Sequence, residues 1–288
     1  MRTESLEVFL TVAKENNITK AAALTHLSQP TVSRLIMDLE DELGYQLFVR
    51  TSKNVYLTKE GLKFQETAKD MLTMYKRALD VKNENDGIEG DIYFGAGEVG
   101  SVKKLAEYIT DFSKLYSNVL IHLSSGNAET ICSEIEKGTL DIGLITRSVN
   151  TEQFENLELQ EKERWGVLLR SDHALAKKET LQVKDLSGEN LIVPENRIFY
   201  RELLNWVGDK AKIKATYTLV HNAIHLVNSG LGIMICFFDP ALTSDTLKFV
   251  PLVPKREVTP MLVWKRKAIY PQAFELFLEY IQKTMTEQ

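Results

Sequence analysis

Gly95, Gly97 and Gly100 in the run IYFGAGEVGS, Ile92 to Ser101, raise the first chemical question. Their spacing, G-x-G-x-x-G, is that of a strand-to-helix turn where backbone closes on a pyrophosphate. Such a site needs an acid at the end of the second strand, ~20 residues on, to take the ribose hydroxyls. The next extended run, NVLIHL, ends instead in Ser124, Ser125 and Gly126, and the nearest acid, Glu129, already belongs to the following helical stretch. The dinucleotide fingerprint is incomplete. What remains is a turn whose N–H groups and helix dipole favour an anion, with the hydroxyl of Ser101 beside it. The carboxylate of Glu98 opposes that preference, and would suit an amine or face water.

Other constellations are weaker. His221 and His225 in HNAIH stand at i, i+4, a spacing that can hold a metal, but the glutamate of H-E-x-x-H is missing and no third ligand follows. Cys132 and Cys236 are the only cysteines, without a C-x-x-C partner. They read as buried thiols in a reducing compartment, not as a zinc site or disulfide. No nucleophile occupies a G-x-S-x-G context. Neither catalysis, metal nor cofactor is expected; a nicotinamide enzyme is the rival that NADH fluorescence would expose.

The elements that position these residues fall into three stretches of a 288-residue chain, 44% hydrophobic and 26% charged, a length that suits two or three globular domains. No apolar run approaches the ~18 residues of a membrane span. The opening MRTESLEVFLTVAKEN carries acids where a signal peptide has its apolar core. A cytoplasmic location is expected, which disfavours a secreted solute-binding module. Net charge is −5, so any nucleic-acid contact should be one small local surface.

Within residues 1–58, Leu6, Phe9, Leu10 and Ala13 recur at helical spacing. Ile18 and Thr19 read as N′ and N-cap of a second helix with Ala22, Ala23 and Leu27 inward. Ser28 can cap a third, with Pro30 in its first turn, Val32, Ile36, Leu39 and Leu43 as its core stripe, and Gly44 as its stop. QLFVR and NVYLT then flank Thr51–Lys53 as a small hairpin, or wing. This is a winged helix-turn-helix. The exposed side of its third helix, Gln29, Pro30, Thr31, Ser33 and Arg34, suits reading a major groove, while Lys20, Arg50, Thr51 and Lys53 can hold phosphate. From Thr58 to about Asp86 one long helix is expected, with Phe64, Ala68, Met71 and Tyr75 as a dimerising seam. Beyond Gly90, strand and helix patterns alternate as in an α/β domain.

Ile18 to Gly61, ITKAAALTHLSQPTVSRLIMDLEDELGYQLFVRTSKNVYLTKEG, resembles the DNA-binding region of the LysR-type transcriptional regulators. Ala-Ala, a leucine three on, Ser-Gln-Pro, a further Ser, then Leu-Glu, Leu-Gly and Leu-Phe carry the match, which continues loosely through GDIYFGAG and VNSGLGIMI. The resemblance implies three parts: a winged helix-turn-helix (1–58), a linker and dimerisation helix (59–87), and a two-lobed α/β effector domain (88–288) like type 2 periplasmic solute-binding proteins. Lobe I would span about 91–161 plus 265–288, and lobe II about 165–263. It further implies homotetramers, as dimers of dimers, on double-stranded promoter DNA, contact with RNA polymerase, and switching by a small effector between the lobes.

Ligands in open α/β sheets gather at the carboxyl ends of strands. The candidates there are Gly100 and Ser101 after the first strand, Ser125 and Asn127 after the second, and Thr146 and Arg147 after the third. Pro194, Arg197 and His221 follow strands of the other lobe, with Arg197 the best partner for an effector carboxylate.

Overall fold

The structure is a computed structural model that describes residues 2–50, 54–80, 88–146, 152–195, 212–266 and 270–286. Its contacts divide the chain into two compact units, Met1–Asn85 and Asp86–Gln288.

In the first unit, helices α1 (Thr3–Glu15), α2 (Ile18–Leu24) and α3 (Gln29–Leu43) precede the antiparallel strands β1 (Phe48–Arg50) and β2 (Val55–Leu57). Helices α2 and α3 begin at side-chain caps. Ser28 Oγ accepts the Thr31 N–H and Pro30 lies in the first turn of α3, whose C-terminus is closed by Gly44 at φ 77°. One expectation is corrected: the cap of α2 is Asn17, whose Oδ1 accepts the Lys20 N–H at 3.0 Å, so Thr19 lies inside the helix. The Asn17 side chain, one residue before Ile18, reaches the third amide of the helix directly. Glu40 accepts the N–H groups of Leu47 and Phe48 and fixes the entry to β1.

Helix α4 (Lys59–Asp80) packs with this unit and does not stand apart from it. Phe64 and Ala68 are buried in the same core as Phe9 and Ile36, and the rings of Phe9 and Phe64 lie 5.1 Å apart.

The second unit holds two sheets. The first has the order β4-β3-β5-β14-β6, built from β3 (Glu89–Ala96), β4 (Asn118–Ser125), β5 (Ile142–Ile145), β6 (Phe154–Glu158) and β14 (Met261–Lys265). Strands β4, β3 and β5 are parallel, while β14 runs antiparallel to β5 and β6. Helices α5 (Val102–Leu115) and α8 (Gln272–Thr286) cover one face through Phe94, Phe112 and Phe277. Helix α6 (Ala128–Lys137) covers the other through Ile131 and Ile135.

The second sheet has the order β10-β9-β11-β7-β12-β8, with β13 (Glu257–Val258) beside β7 (Glu163–Arg170). Its other strands are β8 (Leu181–Gln182), β9 (Asn190–Pro194), β10 (Lys212–Tyr217), β11 (Ile233–Phe237) and β12 (Leu247–Val253), and α7 (Val220–Asn228) packs on it. The chain crosses between sheets twice, and the crossings touch: the Leu159 N–H donates to the Pro260 carbonyl at 2.9 Å. The proposed lobe II boundary at 263 is therefore too late. Met261–Val263 pair with β5 and β6 in the first sheet, where their apolar side chains fill its core. Residues 201–208, RELLNWVG, whose apolar spacing reads as a helix, lie outside the described residues.

Candidate DNA interface and effector cleft

Helix α3 presents its polar set as its periodicity requires. Val32, Ile36 and Leu39 are buried, and Gln29, Pro30 and Thr31 are exposed. Ser33 is half-buried and accepts from Gln29 Nε2 at 3.0 Å, which orders that amide before any base is met. The Arg34 side chain is 82% exposed and only loosely tied to Asp38, at 4.0 Å, a screened contact that costs little to release. Lys20 is exposed on α2. Arg50 closes β1, while Thr51 and Lys53 lie outside the described residues. A group missed in the sequence is Tyr56 on β2: its phenol is exposed and takes the Asn54 amide at 3.3 Å. Its place in the alternating β2 pattern could have shown it pointing outward.

The expected seam on α4 is split. Phe64 and Ala68 are consumed by the core of their own unit, whereas Met71 (37% exposed) and Tyr75 (47%) remain open, with Met74 beside them. Helical spacing marks the apolar face but does not say what covers it, and α1 covers its first half.

In the second unit the carboxyl ends of β3, β4 and β5 bring Gly100, Ser101, Ser125, Asn127 and Thr146 to one edge of the first sheet. Asn127 uses its Oδ1 to accept the Thr130 N–H at 2.9 Å, so its side chain is a helix cap. Across from this edge, Pro194 ends β9 and His221 lies in the first turn of α7. Arg147 and Arg197 lie outside the described residues.

Two acids join the halves. Glu98, from the turn after β3, accepts the His221 N–H at 3.2 Å and lies 3.3 Å from His221 Nδ1. Glu163, at the start of β7, accepts the Ser101 N–H at 2.6 Å. Each carboxylate thus sits at the N-terminus of a helix, where orphan N–H groups and the dipole favour negative charge. Glu98 was noticed in the sequence as an awkward charge, and Glu163 was missed. Burial first, then Cys236 and Glu98, push the Tyr217 phenol well above its usual range, and its O–H donates to the Ile235 carbonyl at 2.9 Å.

The glycine turn has its own explanation. A Cβ on Gly95 would meet Leu140 Cδ1 at 2.6 Å and Ile131 Cγ1 at 3.1 Å, so this glycine lets α6 lie close on the sheet. A Cβ on Gly100 would come 2.8 Å from the Phe238 carbonyl oxygen, so this one lets the two lobes approach. Two of the three glycines that imitate a dinucleotide site thus answer separate packing demands. His221, four residues before His225, turns to Glu98. No group of three potential metal ligands occurs among the described residues.

A winged helix-turn-helix on one unit and a two-lobed α/β unit define a DNA-binding regulator with an effector-binding domain. Residues 3–62 match the family model described as bacterial regulatory helix-turn-helix protein, lysR family, and residues 85–286 match the LysR substrate binding domain. The chain belongs to the LysR family of transcriptional regulators. It is 26% identical to the HTH-type transcriptional regulator YvbU of Bacillus subtilis, over 91% of this chain and 89% of that one. Against the hydrogen peroxide-inducible genes activator of Dickeya chrysanthemi it is 28% identical, over 68% of this chain and 64% of that one. The fold matches the crystal structure of CbnR, a LysR family transcriptional regulator, with TM-score 0.78 and 20% identity over 98% and 99% of the two chains. No helix among the described residues is long and apolar enough to cross a membrane.

Proposed function

We propose that this regulator occupies promoter DNA as a dimer of dimers in the cytoplasm and acts on RNA polymerase, switched by a small effector seated between its lobes. The observation that carries this reading is the contact of Gly100, Ser101 and Glu98 with Phe238, Glu163 and His221. A ligand entering there changes how the lobes meet. It can shift the assembly only by its differential affinity for the two arrangements, typically ~1–3 kcal/mol of coupling.

On DNA, Gln29, Pro30, Thr31, Ser33 and Arg34 face the bases, and Lys20, Arg50, Thr51 and Lys53 the phosphates. Met71 and Tyr75, with Met74, form the dimer contact of α4. Ser101→Ala combined with Arg197→Ala should still occupy the operator in a footprint yet lose the change that the effector produces. A full effector response from the folded double variant would refute the cleft as sensor.

A further inference from the structure

Glu163 is a buried acid with no paired cation among the described residues. It is 3% exposed and accepts the Ser101 N–H, and among the described residues no lysine, arginine or histidine nitrogen pairs with it. Arg164 follows it in β7, and strand alternation sends that side chain to the other face. A buried carboxylate is normally paired, because one hydrogen bond does not replace its hydration.

Beside it stands an unsatisfied hydroxyl. Ser101 is 5% exposed, and its Oγ is buried without a hydrogen-bond partner. A serine at a helix start ordinarily turns its hydroxyl onto the first amides. Here Ser101 is already helical, at φ −67° and ψ −13°, and makes no such bond. The Glu163 carboxylate holds its backbone N–H in that turn. The other Glu163 oxygen faces Gly100, where an added Cβ would lie 3.5 Å from Oε2.

An anionic effector was the expectation from the glycine turn. The positive ends of α5 and α7 already hold Glu163 and Glu98, so an added anion would meet two like charges. We propose that the cleft recognises a cationic nitrogen, a primary amine or guanidinium, which donates to Glu163 Oε2 and to Ser101 Oγ. The proposal rests on the reading that the effector binds between the lobes.

Calorimetric titration of the full-length protein with L-lysine, L-arginine and putrescine, against succinate and benzoate at matched ionic strength, tests it. At least one amine binds with a Kd of about a millimolar or tighter. Glu163→Gln keeps an acceptor for the Ser101 N–H but removes the charge, and weakens that amine about tenfold or more. Asp172→Asn, which removes an exposed carboxylate elsewhere in the unit, leaves its affinity unchanged. Should Glu163→Gln not fold, as thermal unfolding would reveal, Ser101→Ala removes only the orphan hydroxyl and must also weaken the amine. Binding by the carboxylates alone, binding by none of the amines, or an amine affinity indifferent to these variants overturns the proposal. An operator footprint separates the two ideas. An amine that binds without altering the footprint refutes the switch, and a carboxylate that binds and alters it refutes the cation.

Discussion

Phe64→Ala distinguishes the two roles that one helix combines. Phe64 is 6% exposed and packs its ring against Phe9 within the first unit. Truncating a buried phenylalanine costs ~3–5 kcal/mol, from lost transfer energy and the cavity left behind. A domain of this size has roughly 5–10 kcal/mol in total, so the loss removes a large share of it. Each kcal/mol moves the midpoint by ~4–8 °C in a small domain, and the first unit should therefore melt roughly 12 °C lower or more. Met71→Glu should do the opposite. Its side chain is already partly in water, so melting changes by about 0.5 kcal/mol or less, while a charge in the intermolecular contact weakens association. Circular dichroism melts and sedimentation velocity, run on both variants, read the two effects separately. If Phe64→Ala dissociates the protein with its melting unchanged, Phe64 belongs to the dimer contact and the division of α4 is wrong.

Arg34→Ala should lose more affinity for the operator than for random DNA, whereas Lys20→Ala should weaken both alike and flatten the salt dependence; equal losses for Arg34→Ala on both DNAs, in fluorescence anisotropy, would sink its base-reading role. Gly95→Ala pushes a methyl group against Leu140 and Ile131 and should destabilise the second unit by ~1–3 kcal/mol in urea unfolding; an unchanged midpoint would show that α6 can retreat freely. Burial pushes the Cys236 thiol up to about 12, so native protein at pH 8 should be alkylated at the half-buried Cys132 and spared at Cys236. Peptide mass spectrometry showing both modified at one rate would contradict that burial. Because the folded thiol is harder to ionise than the unfolded one, Cys236 favours the folded state below about pH 9 and loses that contribution as pH climbs towards 12.

Much of the fold was legible because its signals are local. Helices α5 and α6 and strand β4 occupy the ranges their patterns announce, Val102–Leu115, Ala128–Lys137 and Asn118–Ser125. Ser28, Pro30 and Gly44 mark the ends of α3 within a few residues of the bonds they serve. Strand β6, FENLE, escaped notice because its apolar positions are few and its pairing with β14 joins segments about a hundred residues apart. In PLVPKREVTP the prolines suggest an extended connection and conceal that Pro251–Val253 close β12 while Glu257–Val258 pair with β7. On α4 the helical period was right, but one period can serve two faces. Nothing in the spacing says that α1 claims Phe64 and Ala68 and leaves Met71 and Tyr75 open.

The acids of the cleft show the other limit. Glu163 meets Ser101 across 62 positions, and Glu98 meets His221 across 123. No periodicity links such pairs, since only the return of the chain through both crossings brings them together. Their energetic scale nevertheless connects the fold to the switch. A carboxylate at a helix N-terminus is worth ~0.3–1 kcal/mol when exposed and up to ~2 kcal/mol when partly buried. That is the range of coupling by which an effector alters a regulator. A cation that draws Glu163 towards itself competes with the Ser101 amide, the contact that ties α5 to the first crossing. Loosening one such bond is enough to change how the lobes meet, while the cores of both sheets, built from Phe94, Phe112 and Phe277 on one side and Val167, Leu191 and Ile235 on the other, stay as they are.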